Sequence, residues 1–270
     1  MINECYSKLF DLTGKTAIVT GGVGILGRCF SAGLAEFGAN IAIVDINEKA
    51  VSAFAGELSA KYGINALGVC CDISSPEEVN QAIKLIVKEM GHIHILHNNA
   101  QGNDASVAFE DCSLEQWRMT SSVNEEGYFL MAQAVGKQMI LQNIGGSIIQ
   151  TSSIYGVMGP DHRIYKDSSK KDDSKGSRAV YSFTKSGVIG LTKYLATYWA
   201  DKNIRVNTIT PGGVEDNQDD IFKKQYSNRI PLGRMALKEE MVGALIYLAS
   251  DASSYVTGQN IIVDGGLEAW

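Results

Sequence analysis

The stretch KTAIVTGGVGILG, residues 15–27, decides the fold. Its first six residues form an apolar, β-branched run that is typical of a buried strand, and a helical pattern follows Gly27. In this strand–turn–helix context, the GxGxxG motif brings backbone N–H groups and a helix N-terminus to a pyrophosphate. The predicted dinucleotide-binding residues are Gly21, Gly22, Gly24, Ile25, Leu26 and Gly27.

The second strand-like run, NIAIVD, ends at Asp45, 18 residues after Gly27. An acid at this place accepts hydrogen bonds from the adenosine ribose hydroxyls and repels a 2′-phosphate, so NAD is the predicted cofactor and NADP the less favoured one. A helix-capping role for Asp45 is the alternative interpretation. Arg28 is expected to face along its helix and is poor evidence for a bound phosphate.

Seven short apolar runs alternate with segments long enough for crossover helices. The runs cover residues 15–20, 40–45, 66–70, 93–98, 147–152, 204–209 and 259–264. After the third run, Ser75, Pro76 and Glu78 indicate a helix start with a capping box. The pattern predicts an α/β fold of one domain, residues 1–270, with a Rossmann-type doubly wound seven-stranded parallel sheet and helices on both faces.

One stretch, residues 159–178, has neither a helical nor a strand period. It carries six Lys or Arg residues and four Asp residues. It is either a solvated surface loop or an inserted loop over the active site, since long loops in compact domains are often functional.

The amino-acid composition limits the classes of partner that the protein is expected to bind. A formal net charge of −6 gives no reason to expect nucleic acid or an anionic membrane, and no run of 18 apolar residues is present to span a bilayer. Five cysteines show neither metal-ligand spacing nor a disulfide framework, so we expect no metal, free core thiols and a cytoplasmic location. A small-molecule substrate is the expected partner.

Tyr181 and Lys185 are four residues apart in a helical pattern, so they share a face. A neighbouring ammonium and a positive nicotinamide ring favour the phenolate and lower a tyrosine pKa. Such a tyrosine can exchange a proton with a substrate oxygen while hydride moves to or from nicotinamide. Tyr198 and Lys202 have the same spacing. They lie at the far end of the helix from the ligand-binding sheet edge, so we expect a structural role for them.

Together these motifs resemble the short-chain dehydrogenase/reductase family, from DLTGKTAIVTGG to SSYVTGQNIIVDGG. The resemblance implies that Asp72 contacts adenine, and that the other cofactor-binding residues are Asn99 and Ala100 after the fourth strand and Pro211, Gly212 and Val214 beside nicotinamide. It implies four catalytic residues: Asn124 holds a relay water, Ser153 orients the reacting oxygen, Tyr181 is the acid–base, and Lys185 binds ribose and tunes Tyr181.

The sequence departs from the family pattern at several positions. TGGVGILG fits the TGxxGxxG loop of the extended, sugar-nucleotide form, although the length favours the short form. Gln101 replaces a glycine, and Asp216 stands where a threonine often contacts the carboxamide. His94 and His97 are interpreted as structural. Ser153 and Tyr181 are 28 residues apart, which is more than the family usually needs.

Within the family, SSIYGVMGPDHRIY, PGGVEDNQ and PLGRMA resemble a bacterial flagellin-modification and surface-sugar subgroup of the legionaminic acid type. This implies a sugar-derived substrate, anionic if phosphorylated or nucleotide-linked. The leading hypothesis is an NAD(P)-dependent oxidoreductase that interconverts a secondary alcohol and a ketone. The alternatives are a sugar epimerase or dehydratase with tightly bound NAD, a ketoreductase of an acyl or other small carbonyl substrate, and a non-catalytic NAD sensor or scaffold. The resemblance also implies a homodimer or homotetramer that pairs long helices near residues 114–141 and 179–200 and the last strand.

Overall fold

The computed structural model describes residues 6–102, 107–165 and 179–270. Its strands are β1 (Thr16–Thr20), β2 (Asn40–Asp45), β3 (Ala66–Cys70), β4 (Ile95–Asn98), β5 (Gly146–Thr151), β6 (Ile204–Pro211) and β7 (Asn260–Val263). They form one parallel sheet in the order β3-β2-β1-β4-β5-β6-β7. The strand order reverses between β1 and β4, where ligands bind in such sheets. The predicted doubly wound fold is confirmed.

Helices cover both faces of the sheet. They are α1 (Ile25–Glu36), α2 (Glu48–Tyr62), α3 (Pro76–Met90), α4 (Leu114–Ser121), α5 (Tyr128–Gln142), α6 (Ala179–Tyr198), α7 (Asp220–Ser227) and α8 (Val242–Ala249). Ile18 of β1 packs with residues of α3, α5 and α6, whereas its neighbour Val19 packs with residues of α1, α2 and α8. Successive residues of one strand therefore supply two separate cores, because strand side chains alternate between faces.

A π-helical turn, Ser122–Gly127, joins α4 to α5 without breaking the helical path. The predicted long helix near residues 114–141 is therefore present, but it is not a regular α-helix throughout. Such turns widen the backbone spiral by one residue and often occur at functional sites. The turn contains Asn124, whose side chain is completely buried.

The start of α3 differs from the predicted capping box. Ser75 Oγ accepts a hydrogen bond from the Glu78 backbone N–H at 3.3 Å, as expected. The Glu78 carboxylate, however, accepts from the backbone N–H of Asp72 at 2.9 Å instead of reaching back to Ser75. The carboxylate therefore fixes the turn between β3 and α3, and this turn carries Asp72.

The loop predicted over residues 159–178 is described only for residues 159–165; residues 166–178 lie outside the described part of the chain. A 3-10 turn, His162–Tyr165, buries Ile164 and Tyr165 against α7 and the C-terminal segment. Ile164 and Tyr165 are therefore packed into the protein, whereas Gly159, His162 and Arg163 in this first part of the loop are exposed.

Two expectations concern thiols and membranes. Among the described cysteines, Cys71 is buried but Cys70 is exposed, so the expectation of core thiols is wrong for Cys70. Within the described ranges, no helix has the length and apolar character needed to cross a bilayer, and no three His, Cys, Asp or Glu side chains form a metal-binding group.

Candidate active site

The glycine loop after β1 is shaped by close backbone contacts. Gly21 has φ +61°, and a Cβ there would lie 2.7 Å from the Ala100 Cα. A Cβ at Gly27 would collide with the Gly21 carbonyl oxygen. Because α1 begins at Ile25, the N–H groups of Ile25 and Leu26 lie in its first turn, where a helix has donors to offer an anion. The loop fits the diphosphate of a dinucleotide.

Asn99 and Ala100 hold this loop in place from the end of β4. Both donate their backbone N–H groups to Thr20 Oγ1, at 2.9 and 3.1 Å. The Asn99 side-chain amide also donates to the Thr20 carbonyl oxygen at 3.1 Å. These bonds join β4 to β1 at the point where the strand order reverses.

A cavity of about 390 Å³ beside the glycine loop contains both predicted adenosine-binding acids. Asp45 Oδ2 accepts from the Val23 N–H at 3.3 Å, and Asp72 Oδ1 accepts from the Ser74 N–H at 2.9 Å. Of the described residues that line this cavity, none is Lys or Arg. Arg28 stacks on Phe54, 4.4 Å from its ring centroid, and lines a different groove. The cavity therefore fits a neutral adenosine ribose better than a 2′-phosphate.

A second cavity, of about 230 Å³, brings Ser153 and Tyr181 together and is called the catalytic cavity below, because it holds these two candidate catalytic residues. Ser153 is buried at the end of β5, and its Oγ accepts the Tyr155 N–H at 3.3 Å. The described lining residues are Ser153, Ile154, Tyr155, Tyr165, Tyr181, Gly212, Gly213, Val214, Gln218, Phe222, Tyr226 and Met235. Two predicted catalytic residues, Ser153 and Tyr181, thus meet the nicotinamide-side residues Gly212 and Val214 at one opening.

Lys185 lies completely buried beneath this cavity. Its Nζ donates to the Thr151 carbonyl oxygen at 3.0 Å and to the Tyr128 hydroxyl at 3.3 Å. Nζ is also 5.8 Å from the centroid of the Tyr181 ring. Burial, which disfavours the charged form, lowers the pKa of Lys185 to about 7.

Asn124 does not line the cavity but is tied to its walls. Its Oδ1 accepts the Gly102 N–H at 2.9 Å, and its Nδ2 donates to Thr184 Oγ1 at 3.3 Å. Thr184 Oγ1 in turn donates to the Tyr181 carbonyl oxygen at 3.0 Å. The side chain therefore fixes the first turn of α6, which carries Tyr181.

Pro211, Gly212 and Val214 lie at the carboxyl end of β6. A Cβ at Gly212 would be 2.7 Å from the Asp264 Cα, so only glycine fits this crossing. Asp216 lines the neighbouring groove with Gly24 and Ile25 instead of the catalytic cavity. Gln218, which sequence reasoning did not single out, lines the cavity and donates from Nε2 to the Val214 carbonyl oxygen at 3.1 Å.

His94 and His97, the two histidines at which the sequence departs from the family pattern, have packing roles. His94 Nδ1 accepts the Thr16 N–H at 3.0 Å, which fixes the entry into β4. His97 is buried, lies edge-on to Phe30, and its Nε2 is 2.8 Å from Thr151 Oγ1. Burial and the nearby Lys185 charge lower the pKa of His97 to about 3, so this imidazole is neutral.

Sequence reasoning missed four aromatic side chains of the cavity. The hydroxyls of Tyr155 and Tyr165 are 3.4 Å apart, and the Tyr165 ring centroid is 5.4 Å from that of Phe222. Tyr226 follows on α7, with its ring centroid 5.6 Å from Phe222. Only Tyr155 could have been found from the sequence, because it stands two residues after Ser153. The other rings come from segments that are distant in sequence.

Known proteins share this architecture. A family model described as short chain dehydrogenase matches residues 15–226. A D-threitol dehydrogenase of Mycolicibacterium smegmatis is 34% identical over 266 residues, covering 95% of this chain and 94% of that protein. A 3-oxoacyl-[acyl-carrier-protein] reductase of Aquifex aeolicus is 34% identical over 260 residues, covering 95% of this chain and 98% of that protein.

The solved structures include a gluconate 5-dehydrogenase from Burkholderia cenocepacia in complex with NADP and tartrate. It is 31% identical, has a TM-score of 0.88, and covers 98% of this chain and 100% of its own. The match covers nearly the whole chain. The chain therefore belongs to the short-chain dehydrogenase/reductase family and is an NAD(P)-dependent oxidoreductase.

Proposed function

We propose that this enzyme interconverts a secondary alcohol of a small neutral polyol and the corresponding ketose, with NAD as cofactor. One observation carries the proposal: Ser153 and Tyr181 line a single small cavity, and the other polar side chains among its described lining residues are phenols and one amide. Lys185 lies directly beneath Tyr181.

The proposed mechanism uses three side chains. The Ser153 hydroxyl orients the substrate oxygen toward the Tyr181 hydroxyl. Tyr181 accepts the proton of the alcohol during oxidation and returns it during reduction. Lys185, in its charged form, stabilises the Tyr181 phenolate by electrostatic attraction, since its Nζ lies 5.8 Å from the centroid of the Tyr181 ring. Bound nicotinamide supplies the hydride acceptor or donor.

The shape of the catalytic cavity supports the substrate class. About 230 Å³ is the volume of roughly eight waters at about 30 Å³ each, which suits a small substrate. Among the described lining residues, none is Lys, Arg, Asp or Glu, so the described part of the cavity offers no counter-charge to a substrate carboxylate. Aromatic faces and phenol hydroxyls instead suit alternating C–H and O–H groups. The threitol and gluconate dehydrogenases are relatives with sugar-derived substrates.

The acidic cavity around Asp45 and Asp72 supports NAD as the preferred cofactor. The gluconate dehydrogenase relative was solved with NADP, so the proposed preference rests on the residues of the present chain alone. Steady-state kinetics with both cofactors tests it. A kcat/KM at least about tenfold higher for NAD is expected, and an equal or reversed ratio would remove Asp45 from cofactor choice.

A turnover screen tests the reaction itself. NADH formation should be seen with neutral polyols at a kcat/KM at least about tenfold above that for aldonates of the same carbon number. Activity on acyl thioesters alone would favour the ketoreductase alternative. Conversion of a nucleotide sugar without net NADH formation would favour the epimerase or dehydratase alternative. Absence of turnover with every class would favour the non-catalytic alternative.

We also propose that the enzyme forms a homodimer or homotetramer through α5 and α6. Leu141, Tyr194 and Tyr198 are each more than three-fifths exposed on these helices and border an apolar groove of about 410 Å³. Large exposed apolar patches mark association surfaces. A role in flagellin or surface-glycan sugar synthesis, an anionic substrate and a cytoplasmic location remain predictions from the sequence.

A further inference from the structure

A neutral tyrosine lies against the buried ammonium of Lys185. Tyr128 is the first residue of α5, is completely buried, and its hydroxyl oxygen is 3.3 Å from Lys185 Nζ. The same hydroxyl donates to the Thr151 carbonyl oxygen at 3.2 Å. Because its only proton is used in that bond, the oxygen faces Lys185 with a lone pair and accepts from Nζ.

The Tyr128 hydroxyl stays protonated in this buried position. Burial and the neighbouring Tyr181 raise the pKa of Tyr128 far above its ordinary value. Ionisation of Tyr128 would also break its bond to the Thr151 carbonyl. Tyr128 therefore supplies Lys185 with a fixed dipole and not with a counter-charge.

The other groups facing Lys185 come from three elements. Thr151 of β5 contributes its carbonyl oxygen at 3.0 Å, and Tyr181 of α6 has its ring 5.8 Å from Nζ. His97 of β4 is neutral and bonded to the Thr151 hydroxyl. Burial alone lowers the pKa of Lys185, and no carboxylate of the described residues lies within ion-pair distance of its Nζ. Neutral acceptors thus have to compensate for the desolvation of the ammonium.

We propose that Tyr128 is a positioning residue of the reaction: its hydroxyl, oriented by Thr151, accepts from Lys185 Nζ, stabilises the ammonium, and thereby favours the Tyr181 phenolate near neutral pH. The two hydrogen bonds use two of the three N–H groups of Lys185, which leaves the third for an acceptor on the cavity side. The inference rests on the proposed function, in which Tyr181 is the base.

The test replaces Tyr128→Phe, which removes one oxygen and keeps the ring. Loss of the acceptor destabilises the ammonium, so the Tyr181 phenolate forms at a higher pH. We expect kcat for alcohol oxidation near pH 7 to fall about tenfold and to recover in alkaline solution, as for a Tyr181 titration displaced by about one pH unit. Tyr247→Phe, a partly buried tyrosine on α8 remote from the cavity, is the matched control and should leave the profile unchanged.

Phenolate absorbance gives a readout that needs no turnover. The titration of Tyr181 is obtained by subtracting the phenolate absorbance of the Tyr181→Phe variant from that of the protein at each pH, with NAD bound to both. The midpoint of the Tyr181 titration should move to higher pH in the Tyr128→Phe protein. The double variant Lys185→Met/Tyr128→Phe should titrate at the same pH as Lys185→Met alone. Because this measurement needs no substrate, a wrong substrate class or reaction does not affect it.

A second replacement covers the case in which Tyr128→Phe does not fold. 3-Fluorotyrosine at position 128 keeps the hydroxyl and weakens its oxygen as an acceptor, so the Tyr181 titration should move in the same direction by less. A uniform loss of kcat at all pH values, or a Tyr181 titration that moves with neither replacement, would overturn the proposal and leave Tyr128 as a core side chain.

Discussion

Two tyrosine–lysine pairs with the same four-residue spacing lie at opposite ends of α6. At the first pair, Lys185 is buried and its Nζ bonds Thr151 and Tyr128, below a ring that lines the catalytic cavity. At the second pair, Tyr198 is exposed and stacks on Tyr194, with ring centroids 5.5 Å apart. Lys202 lies beyond the end of α6, in a 3-10 turn, and its Nζ is 2.8 Å from Asp201 Oδ2.

The difference shows that the surroundings, and not the spacing, give the motif its chemistry. Burial brings the pKa of Lys185 down to about 7, so that its charge depends on its neighbours. The hydrogen bond that Lys202 donates to the Asp201 carboxylate has the opposite effect and raises the pKa of Lys202. A solvated ammonium that is already paired with a carboxylate cannot tune a phenol.

The largest expected effect is that of Tyr181→Phe. Removal of the proposed acid–base hydroxyl should lower kcat by about 10²- to 10⁴-fold, because no other group then carries the proton. NADH binding, measured by fluorescence titration, should be retained. Tyr198→Phe is the matched control on the same helix and should keep full turnover. A Tyr181→Phe protein with unchanged kcat would remove this hydroxyl from the mechanism.

Lys185→Met should have the next largest effect. Loss of the ammonium should reduce kcat near pH 7 by about a hundredfold and move the pH profile to the alkaline side, since the phenolate loses its charged neighbour. Turnover measured across the pH range checks this. Lys202→Met should match the unmodified enzyme at every pH; a comparable loss there would mean that the second pair also contributes.

The same lysine should make the stability of the cofactor-free protein depend on pH. Its pKa is about 7 when folded, against an ordinary 10.5, so between these values the unfolded chain binds the extra proton and stability rises with pH. The free energy of unfolding should therefore rise by up to about 1.4 kcal/mol per pH unit relative to Lys185→Met. Urea denaturation of both proteins at several pH values measures the slope. Parallel curves would contradict a Lys185 whose pKa is lowered in the folded protein.

The smallest expected effect on chemistry is that of Tyr198→Glu. A carboxylate in the apolar groove of α5 and α6 should weaken self-association, because its desolvation has no compensating partner. Sedimentation at several protein concentrations should show a shift toward monomer, with kcat per site within about twofold of the original. Lys193→Glu, on the same helix, is a control for the added charge. An unchanged assembly would place the interface elsewhere.

Much of this arrangement was predictable from local sequence. The buried strands and the glycine loop follow from apolar runs and a fixed glycine spacing, and the sheet edge distinguishes Tyr181 from Tyr198. The aromatic cavity was not predictable, since Tyr165 and Tyr226 come together only through loop packing. Tyr128 had a weak signal: it stands four residues after Asn124, which suggests a shared helical face.

The π-helical turn at Ser122–Gly127 has a consequence for how this helix can change during evolution. A single-residue deletion within it would restore a regular α-helix and preserve most backbone hydrogen bonds. Because the turn absorbs the extra residue locally, α4 and α5 would keep their rotation relative to each other, and only side chains within the turn would change their direction. The deletion would therefore disturb the contact of Asn124 with Thr184 and leave the contact of Tyr128 with Lys185 in place. The extra residue thus bears on one contact of the site and not on the other, so the two contacts can change separately.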